Sequence, residues 1–169
     1  GSPYETAEGF TFPGVFGILA TAYFHKFGAT REDLMNVTIK SHNNAALNRK
    51  AQFNMSIREV MNMRIEKAKK KGDPAPRWRD EKEALADPRF NPVVAWPMCL
   101  FDCCPISDGG SCVLLVAEEL AKNFTDNPLY IIGMGQGSGR ALHDCPKLTS
   151  LEANKNAAKE AYEMSGLTP

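Results

Sequence analysis

The segment Phe101-Asp-Cys-Cys-Pro-Ile-Ser-Asp-Gly-Gly-Ser-Cys-Val-Leu-Leu-Val116 decides how the rest of the chain is interpreted. Residues 108–110 favour a tight turn, because glycine has no Cβ to clash with the backbone. Residues 113–116 are branched and uncharged, which predicts a strand buried on both faces. Glu118 and Glu119 then predict the start of a helix, where acidic side chains suit the dipole. Two interpretations stay open: an active-site edge held by a buried strand, or a tight connection with core cysteines.

Composition narrows the class of protein. The chain has 169 residues, enough for one compact domain with a hydrophobic core. It carries 20 Lys and Arg against 20 Asp and Glu, and this zero net charge argues against a dedicated nucleic-acid binder. Because there is no apolar run of about 18 residues and no signal-peptide pattern, we expect no membrane span. Five cysteines without disulfide-framework spacing indicate reduced thiols and a cytoplasmic location.

The first half of the chain is predicted to be helical. Residues 14–27 are apolar on nearly every face, which predicts a buried helix that ends at Gly28. Capping boxes at residues 30–33 and 56–59 begin two further helices. Ser41-His-Asn-Asn44 puts four polar groups beside an apolar stripe. Either two or more of them face a ligand channel, or they form a solvated face with the histidine bonded to a backbone carbonyl.

A polar, proline-broken stretch follows these helices. The lysines within residues 67–71 either complement the helix dipole or bind a phosphate-bearing ligand. Trp78, between Arg77 and Arg79, either stacks on a planar group such as a purine or seals a partner surface.

The second half alternates predicted strands and helices. Residues 129–134 are strand-like, and a capping box at residues 149–152 predicts a last helix. The glycines of residues 133–139 do not fit a dinucleotide fingerprint, and we expect them to let the backbone either twist or approach a neighbour closely. Residues 143–145, His-Asp-Cys, have no second cluster with ligand spacing, so no metal site is predicted. Because two strands buried on both faces make an incomplete sheet, we expect a piece of a larger α/β protein or a sheet completed elsewhere.

Three segments together resemble the thiolase superfamily, in the branch of sterol-carrier thiolases and lipid-transfer-protein-like acyl-CoA enzymes. They are Phe12-Pro-Gly-Val-Phe with Tyr23-Phe-His-Lys-Phe-Gly-Ala-Thr-Arg-Glu-Asp-Leu, Lys40-Ser-His-Asn-Asn-Ala-Ala-Leu-Asn with Ala51-Gln-Phe, and Leu100-Phe-Asp-Cys-Cys-Pro-Ile-Ser-Asp-Gly-Gly. The resemblance implies an α/β fold that forms part of the layered αβαβα thiolase architecture. It implies a mostly helical loop domain over residues 1–98, with an insertion at about 69–90, and a strand–helix–strand–helix part of the core over residues 99–169.

The resemblance implies Claisen-type acyl transfer between coenzyme A thioesters, or the reverse thiolytic cleavage of a 3-oxoacyl thioester. This chemistry needs a nucleophilic cysteine; no cysteine precedes Cys99, so no catalytic residue is assigned to this chain. Coenzyme A takes part as a thioester substrate, and neither a covalently bound cofactor nor a metal is expected. The residues implied to line the channel for its pantetheine arm are Cys103, Cys104, Pro105, Ile106, Ser107, His42 and Asn43. The resemblance also makes the lysines within residues 67–71, Arg77 and Arg79 candidates for binding the phosphates of coenzyme A.

Two other functions stay open. Relatives with this fold perform retro-aldol cleavage of acyl-coenzyme A side chains, usually with a partner protein that combines a zinc ribbon and an OB fold. The other alternative is a non-enzymatic module that binds coenzyme A or a partner. The partners expected are acyl-coenzyme A, the remainder of the thiolase core and further copies of the chain in a homo-oligomer, without nucleic acid. The isolated chain is expected to show no thiolysis of acetoacetyl-CoA.

Overall fold

The computed structural model describes residues 3–169, which divide into two compact units. The first unit ends at Ser107 and the second comprises Asp108–Pro169. The first contains α1 (Pro3–Ala7), α2 (Phe12–Phe27), α3 (Arg31–Ala46), α4 (Ile57–Lys71), α5 (Glu81–Ala86), β1 (Val93–Ala95), β2 (Met98–Cys99) and a 3-10 turn (Leu100–Asp102). The second contains α6 (Glu118–Ala121), a 3-10 turn (Leu142–Asp144) and α7 (Glu152–Ser165). None of the helices within residues 3–169 has the length and apolar character needed to cross a membrane.

The starts of α3 and α4 follow the predicted capping boxes. The Thr30 N–H donates to Asp33 Oδ2 at 2.8 Å, and the Asp33 N–H donates to Thr30 Oγ1 at 3.4 Å. The Ser56 N–H donates to Glu59 Oε2 at 2.7 Å, and the Glu59 N–H donates to Ser56 Oγ at 3.2 Å. The backbone N–H groups of Thr30 and Ser56 lower the pKa of the Asp33 and Glu59 carboxyls, respectively, and the hydroxyls of the same two residues are the second cause. Both predicted helix starts are confirmed.

The third predicted capping box, at residues 149–152, is wrong. α7 begins at Glu152 after Leu151, so the glutamate lies at the first helical position instead of the third. The Ser150 hydroxyl donates to Glu152 Oε1 at 2.5 Å, a contact two residues apart that replaces the reciprocal pair. The helix still ends as predicted, with Gly166 at φ 69°.

The core of the first unit lies among α3, α4, α5 and the segment that leads into β1. Phe90 stacks on Phe101 with ring centroids 4.9 Å apart, and Trp78 packs on Phe90 with ring centroids also 4.9 Å apart. The Trp78 indole N–H donates to Asp87 Oδ2 at 3.1 Å. Trp78 therefore packs against its own unit, and this arrangement does not support stacking on a purine. The buried residues of this core are Met35, Ile57, Val60, Met61, Ala84, Leu85 and Phe90.

The prediction that α2 is buried on every face is wrong. Phe12 is 73% exposed and Phe27 is 55% exposed, and Gly17 is the buried residue of this helix. At Gly17 the helix packs on the antiparallel β1–β2 hairpin so closely that an added Cβ would lie 2.9 Å from the Trp96 carbonyl oxygen. The apolar pattern predicts neighbours on all sides, whereas the contacts of α2 within the described chain come mainly from this hairpin.

The two strands predicted in the second half are also not strands in the described chain. Val113 is 82% exposed and Leu115 is 72% exposed, and Ile131 in the second segment is 64% exposed. A strand requires a neighbouring strand to complete its hydrogen-bond ladder, and residues 108–169 contain none. The fold as described is mostly helical with one short hairpin, compatible with part of a thiolase-like α/β fold.

The glycine-rich segment of the second unit lies against α7, as predicted from its lack of side chains. A Cβ added at Gly133, Gly135 or Gly137 would lie closer than 3.0 Å to the carbonyl oxygen of Ala161, Ala157 or Ala153, respectively. Every second residue of the segment thus meets every fourth residue of the helix, running in the opposite direction. The predicted close approach of the glycines to a neighbour is confirmed.

Candidate functional site

A groove of about 800 Å³ lies beside the Cys-Cys-Pro turn in the first unit. One wall is α3, which contributes Val37, Ser41 and Ala45, and α4 contributes the opposite side with Met63 and Arg64. Residues 51–53 and the segment 100–105 close the remaining sides. Most of these side chains are apolar, so the groove suits a narrow, largely uncharged ligand segment.

A buried ion pair fixes the 3-10 turn at the base of the groove. The Asp102 side chain is 1% exposed, and Arg31 Nη2 lies 2.9 Å from Asp102 Oδ2 while Arg31 Nη1 donates to Oδ1 at 3.3 Å. The Thr38 hydroxyl donates to the same carboxylate, and so does the Cys99 N–H at 2.7 Å. Because a buried carboxylate is stable only with partners of this kind, Asp102 ties the turn to the start of α3.

His42 is held between two backbone carbonyls. Its Nδ1 lies 3.3 Å from the Met55 carbonyl oxygen, and its Nε2 lies 3.3 Å from the Phe101 carbonyl oxygen. The ring also meets Phe53 edge-on at 5.2 Å between centroids. His42 lines the groove with its ring, and both nitrogens face protein acceptors. Of the two interpretations from sequence, the contact with a backbone carbonyl is present, and the ring connects the loop after α3 to the 3-10 turn.

The two adjacent cysteines have different environments. The Cys103 thiol is half-buried and donates to the Cys99 carbonyl oxygen at 3.4 Å. Burial, with the Asp102 charge as a smaller cause, raises the pKa of the Cys103 thiol. Cys104 is exposed and also lines the groove. The turn thus presents one accessible thiol and one shielded thiol.

The rest of the predicted site divides between the groove and the surface. Pro105 and Ser107 line the groove, and the Ser107 hydroxyl donates to Gln52 Oε1, which joins the turn to the loop after α3. Ile106 is 99% exposed and Asn43 is exposed, and neither is among the described residues that line the groove. Five of the seven predicted binding residues therefore surround one groove.

Sequence reasoning missed Arg64, which lines the groove, and Arg31, which pairs with the lining residue Asp102. Arg64 lines the groove from α4, four residues after Val60, which also lines it. This helical spacing was the signal that could have identified it. Arg31 lies 71 residues from Asp102 along the chain, and no local pattern predicts that pair.

The basic residues proposed for phosphate from sequence lie elsewhere. Arg79 pairs with Glu83, and Lys69 pairs with Glu66 at 2.7 Å, so both are engaged by carboxylates of their own segment. Neither lines the groove. Among residues 3–169, no three His, Cys, Asp or Glu side chains are grouped so as to hold a metal ion.

Comparison with known proteins defines the class. The family model for the thiolase N-terminal domain matches residues 5–119, which include the whole groove. The chain belongs to the thiolase family, and the predicted resemblance is confirmed.

The names of the individual relatives describe different reactions. The chain is 34% identical over 169 residues to an acetyl-CoA acetyltransferase of Methanothermobacter thermautotrophicus, a match that covers 98% of the chain and 37% of the relative. It is 30% identical to the benzoylsuccinyl-CoA thiolase subunit BbsB of Thauera aromatica, over 99% of the chain and 37% of that subunit. It is 28% identical to a steroid side-chain-cleaving aldolase of Thermomonospora curvata, over 90% of the chain and 34% of the aldolase. The chain thus spans little more than a third of the length of these relatives.

Proposed function

We propose that this chain forms part of the coenzyme A thioester channel of a thiolase-type acyl-CoA C-acyltransferase. The observation that carries the proposal is the groove, because five residues implied by the family resemblance surround it: His42, Cys103, Cys104, Pro105 and Ser107. The pantetheine arm is narrow and only weakly polar, which matches the apolar walls of the groove. Asn43 and Ile106, which are exposed beside it, are proposed to contact the ligand outside the groove.

The role proposed for the chain is binding and orientation of the thioester. Acyl transfer breaks the bond between the acyl carbon and sulfur, and it needs an activated thiolate as nucleophile. Cys103 is a poor candidate, because burial raises the pKa of its thiol and its hydrogen is directed at the Cys99 carbonyl. We therefore assign no catalytic residue to this chain and expect the isolated chain to be inactive.

Arg64 is proposed to contact a phosphate of coenzyme A. Its side chain lines the groove and is exposed, so the guanidinium is accessible to a ligand that extends out of the groove. A guanidinium binds phosphate oxygens through two parallel hydrogen bonds, which a lysine cannot do. Arg64 replaces Arg79 and Lys69 in this role, since those two are paired with carboxylates.

The groove is tested by blocking it from α3. Ser41 and Asn44 are both exposed on this helix, but only Ser41 lines the groove. Ser41→Trp should abolish the binding of coenzyme A measured by isothermal titration calorimetry, whereas Asn44→Trp should leave the dissociation constant unchanged. Equal binding by the two variants would overturn the assignment of the groove, and absence of binding by the unmodified chain would overturn the function.

A second candidate reaction is retro-aldol cleavage of an acyl-coenzyme A side chain, with a zinc-ribbon and OB-fold protein as partner. It is supported by the similarity to the steroid side-chain-cleaving aldolase. Thiolysis of a 3-oxoacyl thioester by the whole protein supports the acyltransferase, and cleavage of a hydroxylated side chain without added thiol supports the aldolase. A non-enzymatic role would be indicated if the whole protein binds coenzyme A and performs neither reaction.

The setting proposed for the protein is the reducing cytoplasm. The five cysteines are free thiols, which agrees with that setting. We propose that the protein acts as a homo-oligomer together with the remainder of the thiolase core.

A further inference from the structure

The accessible thiol of the Cys-Cys-Pro turn lines the proposed channel, but the function proposed above uses none of its reactivity. Cys104 is exposed and lines the groove, next to Cys103, whose thiol is directed away to the Cys99 carbonyl. A ligand with a sulfur at the end of a narrow arm would bring that sulfur into the same groove. The pantetheine arm of coenzyme A is such a ligand.

We propose that Cys104 is a modification site for coenzyme A. Reaction of the Cys104 thiol with the symmetrical disulfide of coenzyme A attaches one coenzyme A to the protein as a mixed disulfide. The proposal rests on the proposed function, since the groove must first accept the pantetheine arm. The co-reactant is the symmetrical disulfide of coenzyme A. The Cys104 thiolate attacks one of its two sulfur atoms, the sulfur–sulfur bond breaks, and a new Cys104–sulfur bond forms. The second coenzyme A leaves as a thiolate and takes up a proton, so one cysteine is oxidised and one half of the disulfide is reduced.

Local concentration gives the reaction its selectivity. Coenzyme A disulfide bound in the groove holds its central sulfur atoms at the end of the arm, near the wall formed by Cys104. Proximity of this kind raises the rate of a reaction relative to the same reaction with a free reagent. The neighbouring Cys103 competes poorly, because its thiol is half-buried and carries a smaller fraction of thiolate at neutral pH.

The chain contains an internal control for simple exposure. Cys112 is also exposed, but it belongs to the second unit and is not among the residues that line the groove. A small disulfide that does not use the groove should modify Cys104 and Cys112 at similar rates. Coenzyme A disulfide should favour Cys104.

The consequence of the modification is loss of ligand binding. A coenzyme A attached at Cys104 would occupy the groove and exclude a thioester from it. A reducing agent such as dithiothreitol restores the free thiol and the binding, so the modification is reversible.

Peptide mass spectrometry of the full chain tests the proposal. We expect coenzyme A disulfide to modify Cys104 at least about tenfold faster than Cys112, whereas hydroxyethyl disulfide should modify the two within about a factor of three. Ser41→Trp should remove the preference for Cys104 with coenzyme A disulfide, whereas Asn44→Trp, which lies outside the groove, should retain it. The same ratio of Cys104 to Cys112 with both reagents would overturn the proposal, and so would preferential modification of Cys103.

Failure of the proposed function is distinguished by a separate measurement. The unmodified chain is titrated with coenzyme A by calorimetry in the presence of a phosphine reductant, which prevents any disulfide from forming. If coenzyme A binds to the reduced chain and Ser41→Trp blocks this binding, the function stands, and an absent preference for Cys104 then refutes the modification alone. If coenzyme A does not bind to the reduced chain, both the function and the modification are refuted.

Discussion

Replacement of Gly135 by alanine should destabilise the second unit. An added Cβ would lie closer than 3.0 Å to the Ala157 carbonyl oxygen and 2.8 Å from the Ala157 carbonyl carbon. The obstacle is backbone inside α7, so it cannot rotate aside as a side chain does. The helix must move away or the glycine segment must shift.

The size of the effect follows from two opposing contributions. Overpacking in a close contact costs about 1–3 kcal/mol. Loss of glycine flexibility in the unfolded chain offsets about 0.4–1 kcal/mol of this cost. The steric cost is larger, so we expect the free energy of unfolding to fall by about 1–2 kcal/mol in Gly135→Ala.

Gly139 provides the matched control in the same segment. A Cβ added there would lie 3.6 Å from the Ala153 Cβ, which is an ordinary van der Waals contact. Gly139→Ala should therefore be neutral or slightly stabilising. Urea unfolding gives the free energies, and hydrogen exchange of the α7 amides shows whether the loss is confined to this unit.

Two results would refute the steric explanation. The first is equal stability and equal α7 protection in Gly135→Ala and Gly139→Ala. The second is rescue of Gly135→Ala by Ala157→Gly, because the added Cβ meets the Ala157 carbonyl rather than its methyl group.

Two further predictions concern charged groups of the first unit. Asp102→Asn should lower the free energy of unfolding, measured by urea unfolding, by about 3 kcal/mol, because it leaves the Arg31 charge without its buried partner. The control is Glu32→Gln, which removes an exposed ion pair with Lys82 that contributes less than about 1 kcal/mol. An equal loss of stability in the two variants would contradict the prediction. The pKa of Glu59 is lowered from 4.5 in the folded chain, so its contribution to stability is present above about pH 4.5 and is lost as the pH falls through the lowered pKa. Glu59→Gln should flatten that part of the stability profile, measured by urea unfolding at several pH values, and an unchanged slope would show that the capping carboxylate is not its source.

The sequence predicts features that depend on residues close together in the chain. The reciprocal capping boxes at residues 30–33 and 56–59 are each complete within four residues and are confirmed, whereas the equally local box predicted at 149–152 is wrong because α7 begins only at Glu152. The predicted strands at 113–116 and 129–134 are wrong because strand formation depends on partners that no local pattern contains. The same limit applies to α2. Its apolar faces predict that the helix is buried, but its sequence does not show which segments would cover those faces.

The candidate site shows the same division. The Cys-Cys-Pro turn was identified from its sequence motif. Of the seven binding residues predicted from this turn and from α3, five surround the groove. The Arg31–Asp102 pair that fixes the turn joins residues 71 positions apart, so the sequence gives no indication of it. The division into compact units falls after Ser107. The predicted boundary between loop domain and core after residue 98 concerns the family architecture and stays a prediction.

The glycine–alanine contacts of the second unit match two slightly different repeat lengths. Two residues of extended chain advance about 6.6 Å, whereas four residues of helix advance about 6.0 Å, so the segment and the helix move out of register by about 0.6 Å at each contact. Only a few close contacts can form before this mismatch becomes too large. Because the contacts repeat, a shift of the glycine segment by one contact along α7 would preserve a similar pattern. Two hydrogen bonds distinguish one step from the next: the Met134 N–H donates to Met164 Sδ at 3.3 Å, and the Gln136 N–H donates to Glu160 Oε2 at 2.9 Å. The small residues set the distance between segment and helix, and these two polar contacts select the alignment.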